Sequence, residues 1–179
     1  MPSPSPGLKL KYLAIGLGSQ NYTCASAGAS AKPTSIGAVA TLYDASCALS
    51  SNQDLLHALP NLVTRVPMEA VELVATLASL LNPSSLGVIM GVHYFRDAST
   101  AFFDFRPSGA NDWVAAKKVN NATAPGGYHV PWLKLDSVES NGIKEVFRVH
   151  TINGAAPATC QGFDGPFQIG YAAEYWFYG

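Results

Sequence analysis

The side chains able to do chemistry gather in three short runs. Val146-Phe147-Arg148-Val149-His150-Thr151-Ile152 sets a guanidinium and an imidazole two residues apart, and Ala172-Ala173-Glu174-Tyr175-Trp176 sets a carboxylate and an indole at the same spacing. Trp132-Leu133-Lys134-Leu135-Asp136 alternates indole, ammonium and carboxylate with leucines. In a strand, residues two apart share a face. Val146, Arg148, His150 and Ile152 then form one face, and Ala172, Glu174, Trp176 and Tyr178 a second. Trp132, Lys134 and Asp136 form a third, opposite Leu133 and Leu135. Convergence of the three would make a polar, aromatic-lined cleft for a sugar or small organic molecule. There Arg148 offers a two-pronged donor to Glu174 or to a ligand carboxylate, and the indoles offer flat walls for a sugar ring. Trp132, Lys134, Arg148, His150, Glu174 and Trp176 are thus the candidate ligand-binding residues. The competing expectation is an Arg148–Glu174 ion pair across two strands on a solvated face.

Other chemistries find less support. His57, His93, His129 and His150 include no pair with a second His or a carboxylate at i+2 or i+4 on a helix, and Asp97, four residues after His93, falls across a turn, so no metal site is expected. No Gly-x-Ser-x-Gly elbow occurs, and Cys47 lacks a nucleophile signature. Asp44, Asp104, Asp136, Asp164 and Glu174 could supply the two carboxylates of a glycosidase, but spacing alone brings no two together. Gly16-Leu17-Gly18 suggests a dinucleotide loop, yet Ser19 to Cys24 follows with no third glycine and no helical period. A pyrophosphate needs a glycine turn opening a helix, so no nucleotide cofactor is expected.

Positioning these residues falls to short strands. The chain has 179 residues, 48% of them hydrophobic and only 13% charged, which suits one globular domain spanning 1–179. A net charge of -1 without basic runs argues against nucleic acid and anionic membranes as partners. No apolar stretch is long enough for a membrane helix, so no insertion is expected. Strand patterns cover 8–17, 36–43, 87–95, 101–105, 113–119, 130–138, 144–152 and 170–178, with a turn at 96–99 and Asn141-Gly142 marking a hairpin. One segment is helical: Pro67 opens it, Asn82-Pro83 closes it, and Val71, Val74, Leu77, Ala78 and Leu81 form its apolar stripe. The fold class is therefore all-β, a single-domain barrel or sandwich with one short amphipathic helix over about residues 68–81.

Three cysteines, Cys24, Cys47 and Cys160, permit one disulfide and one thiol, or three buried thiols. Asn21-Tyr-Thr and Asn121-Ala-Thr are glycosylation acceptor triplets. Met1 to Pro6 lacks the basic and apolar regions of a signal peptide, which fits a cytosolic protein or a mature secreted chain bearing a start Met.

Six blocks in order carry a family resemblance. They are Gly18-Ser-Gln-Asn-Tyr-Thr-Cys24, Ala40-Thr-Leu-Tyr-Asp44, Gly91-Val-His-Tyr-Phe95, Val130-Pro-Trp-Leu-Lys-Leu135, Phe147 to Gly154 with Ala156-Pro-Ala-Thr-Cys160, and Tyr171 to Tyr178. Together they resemble a secreted family of unknown function whose fungal members are often labelled malate dehydrogenase. The resemblance implies secretion to the extracellular space and favours the disulfide-and-acceptor reading of Gly16 to Cys24. It also implies that Cys24 pairs with Cys160, because the family's bacterial branch carries counterparts of these two and not of Cys47. Cys47 is then a buried thiol, and Cys24–Cys47 is the rival pairing.

Three functions follow as expectations. The first is a secreted, non-enzymatic ligand-binding or cell-wall and host-interaction protein, a glycoprotein whose partner is a glycan or small molecule. The second is an extracellular carbohydrate-active hydrolase or lyase, and the third a structural wall or spore protein. A NAD-dependent malate dehydrogenase is not expected. Calorimetric titration with NADH should give no heat of binding, and micromolar affinity would overturn that exclusion.

Overall fold

Each strand pairs antiparallel with its neighbour in sequence, and the last returns to the first. In a computed structural model that describes residues 1–81 and 88–179, eight strands close a barrel in the order of the chain. They are β1 (Leu10–Cys24), β2 (Thr34–Asp44), β3 (Ile89–Phe95), β4 (Ala101–Asp104), β5 (Trp113–Ala122), β6 (Trp132–Asn141), β7 (Glu145–Asn153) and β8 (Gly165–Tyr178). The barrel alternative is the correct one. Closure removes every unpaired sheet edge. Asn82, Pro83 and Gly87, expected at the end of the helix and the start of a strand, lie outside the described residues.

The interior is filled. Leu42, Phe103, Phe105, Val114, Val146, Tyr171, Tyr175 and Phe177 pack into one core, as eight-stranded barrels allow. Gly16 and Gly18 are packing residues within β1 and no nucleotide loop. A Cβ on Gly16 would stand 2.5 Å from the Tyr175 ring, and one on Gly18 would stand 2.0 Å from the Val39 carbonyl oxygen. A void of about 20 Å³ remains beside His93, Phe103, Arg148 and Tyr175, room for a single water. That void is too small for an organic ligand.

Among the described residues of the β2–β3 connection there are three helices: α1 (Ser46–Ser51), α2 (Gln53–Val63) and α3 (Met68–Leu81). The expected helix is α3, and α1 and α2 are additional. Asn52 caps α2 by accepting from the Asp54 and Leu55 amides at 2.9 and 3.1 Å. Leu56, wholly buried, then packs with Leu13 and Ile15 on the barrel wall. The apolar stripe of α3 does not bury as its spacing predicts. Ala75 is buried against the wall with Val71 beside it, whereas Val74, Leu77 and Leu81 are exposed. The helix rests on small residues, so its larger ones stand off the wall.

Cys24 and Cys160 form a disulfide across 136 residues, tying the end of β1 to the loop before β8. Closing so long a loop restricts the unfolded chain by about 4–5 kcal/mol in the entropy model. Cys47 is exposed on α1, not buried, because α1 lies on the outside of the wall.

His93 sits inside the barrel, stacked on Phe103 at 4.3 Å, with Nδ1 2.9 Å from the Phe102 carbonyl. Burial drives its pKa down to about 4; the Phe102 bond opposes the shift and the Arg148 charge adds to it. The unfolded chain takes up this proton near pH 6.5. Between these values the unfolded state binds more protons, so stability present at neutral pH is lost as pH falls, by about 3 kcal/mol. Denaturant titrations should show this loss, and His93→Gln should flatten it. Equal slopes in both proteins would refute the assignment.

Candidate functional site

Alternation along β8 sends Tyr171, Ala173, Tyr175 and Phe177 into the core, and Glu174 and Trp176 to the outer wall. Across the seam Glu174 pairs with Val149 of β7 and Arg148 with Tyr175. Arg148 therefore points inward, where Nη2 and Nε donate to the Pro131 carbonyl at 2.9 and 3.3 Å. The expected Arg148–Glu174 pair does not form, because the two side chains leave opposite faces of the sheet.

The register of β7 and β8 shifts between Val149 and Ile152. There His150 adopts φ +46, a conformation rare for a side chain without special support. Such a bulge inserts a residue and re-aims its side chain. Thr151 turns inward, donating to the Val130 carbonyl at 2.6 Å, and His150 turns outward. Arg148 and His150, expected on one face, are thereby separated.

Outside, α2 delivers His57. Its ring stacks on His150 at 3.9 Å and 13°, and His57 Nδ1 lies 2.8 Å from Glu174 Oε1. Trp176 Nε1 donates to Glu174 Oε2 at 3.1 Å, and Trp132 packs on His150 at 4.9 Å. Glu174 is 0% exposed, so its carboxylate depends on these donors in place of water. Burial lowers the His150 pKa; Glu174 opposes the shift and His57 reinforces it. One donor atom each from His57, His150 and Glu174 lies within 4.8 Å of the others. Local spacing gave no sign of this grouping, because the three come from α2, β7 and β8.

Four of the six expected ligand-binding residues come together: Trp132, His150, Glu174 and Trp176. Lys134 is on the outer wall as expected but engaged elsewhere, 2.9 Å from Glu145 and 4.0 Å from Asp136. Burial pushes the Glu145 pKa up, and bonds from Ser5 and Lys134 outweigh it and hold the group below its usual range. His57 was not among the expected residues. The cap at Asn52 and the spacing of Leu56, Leu59 and Val63 signal its helix, but Pro60 in the second half hides the pattern. Of the two acceptor triplets, Asn121 is exposed, whereas Asn21 is half-buried and accepts from Ser19 Oγ at 3.0 Å. A separate cleft of about 370 Å³, lined by Ile15, Tyr43, Leu59, Val63, Val71 and Ala75 among others, lies between the helices and the wall.

A family defined only as a protein of unknown function, DUF3455, matches residues 4–179. The chain belongs to the DUF3455 family. No curated protein and no solved structure matches it. For this DUF3455 barrel the functional argument accordingly rests on the geometry of the site.

Removing the His57 ring takes away one of the two donors that the described residues give this buried carboxylate. His57→Ala should cost about 1.5–3 kcal/mol in denaturant titration and weaken hydrogen-exchange protection across α2. A change under about 0.5 kcal/mol, the range of ordinary surface substitutions, would mean that α2 is held by its apolar contacts alone.

Proposed function

We propose that this DUF3455 protein is a secreted, non-enzymatic barrel that binds a glycan or small organic molecule at its outer wall, in a cell-wall or host-interaction role. Glu174 carries the reading. This fully buried carboxylate holds His57 and Trp176 by hydrogen bonds beside His150 and Trp132, which fixes flat aromatic walls on which a hydroxylated ligand can rest. Among the described residues the Trp132 indole N–H is buried without a hydrogen-bond partner.

Binding is favoured over two-carboxylate hydrolysis by how three of the other four candidate acids are used. Asp44 accepts from the Ser46 amide at 2.9 Å, Asp104 grips Arg106 at 2.8 and 2.9 Å, and Asp136 faces Lys134. The Cys24–Cys160 disulfide supports an oxidising, extracellular setting, and exposed Asn121 is the acceptor suited to a glycan. No helix among the described residues is long and apolar enough to cross a membrane.

A glycan array probed with the wild-type protein, Trp132→Ala and Trp176→Ala tests the reading. Loss of one aromatic contact of about 1 kcal/mol should weaken binding roughly fivefold in each variant. Undiminished binding in both would remove this wall as the site, and release of cleaved product would replace binding with hydrolysis.

A further inference from the structure

We propose that His57, His150 and Glu174 bind a divalent transition-metal ion, with Zn²⁺ the ion best suited to the donors. Two imidazoles and one carboxylate are a recurrent zinc donor set, one that leaves a fourth position open for water or a ligand. Their donor atoms already lie within 4.8 Å of one another. Bonds of about 2.0–2.2 Å require the His57 ring to turn out of its parallel stack on His150 so that both imidazole nitrogens and the carboxylate face one ion, a movement open to a side chain that is 30% exposed.

Charge points the same way. The cluster holds one carboxylate at 0% exposure, and its recorded hydrogen-bond donors are one imidazole and one indole. Among the described residues no Lys or Arg forms an ion pair with Glu174; its one charge partner is His57. Lys134 is taken by Glu145, and Arg148 lies on the other side of the wall. A dication supplies the positive charge that this carboxylate lacks. The backbone is also invested in the site, since the His150 bulge at φ +46 turns an imidazole outward beside Glu174. Trp132 and Trp176 then form the surrounding shell, Trp176 fixing the second carboxylate oxygen as outer partners of metal ligands do.

The inference deepens the proposed outer-wall site, for a metal with an open position provides a direct contact for ligand oxygen atoms. Its test uses Zn²⁺ alone, so it stands or falls apart from any glycan. Metal-stripped protein titrated calorimetrically with Zn²⁺ at neutral pH should take up one ion per chain. His57→Gln and His150→Gln should each weaken binding by about tenfold or more, while His129→Gln, outside the cluster, should bind as wild type. Co²⁺ loaded into the wild-type protein should give visible absorption bands that are lost in Glu174→Gln, and circular dichroism would verify that each variant is folded. Failure of the folded wild-type protein to bind Zn²⁺ would overturn the proposal, as would binding that persists unchanged in both cluster histidine variants. Zn²⁺ binding without any glycan binding would leave the metal site standing and sink the glycan reading alone.

Discussion

The seam where β8 pairs with both β1 and β7 is the constraint on which the rest of the molecule depends. Register with β1 runs from Leu10–Tyr178 to Cys24–Gly165, and it closes the barrel and sets every side chain of β8 to one face. Inward, Tyr171, Tyr175 and Phe177 complete the core. Outward, Glu174 and Trp176 found the candidate site. Because side chains alternate strictly, a slip of one residue would bury Glu174 in an aromatic core and expose Tyr175. Gly16 protects that register by leaving space for the Tyr175 ring.

Two charges next to this seam are buried and do not neutralise each other. Arg148 is satisfied by the Pro131 carbonyl at one end of the interior, and Glu174 by an imidazole and an indole on the wall. A buried ion left without partners is strongly destabilising, so each recruits the nearest available dipoles. For Glu174 this draws α2 onto the barrel. The helix contributes Leu56 to the apolar contact and His57 to the polar one, which couples a stability element to the site.

Strand alternation made much of this legible in advance. Leu133 and Leu135 lie on the inner face, Trp132 and Lys134 on the outer, and Glu174 and Trp176 share a face, because these segments follow the simple two-residue period. The period fails at His150, where a bulge breaks it without a glycine, proline or other local mark. It also gave no view of His57, whose helix contains Pro60 and whose partners are 93 and 117 positions away by number alone.

By itself the sequence determined the all-β class, most strand positions, the helix at Met68–Leu81 and the faces of Trp132, Glu174 and Trp176 in the candidate cluster, since these follow from short-range periodicity and turn chemistry. Only the tertiary structure decided that the sheet closes, that Cys47 is exposed, that Arg148 points away from Glu174, and that His57 meets His150. Each of those depends on strand register, on a single inserted residue or on where a helix lands, and such long-range relations leave no repeat in the local order of residues.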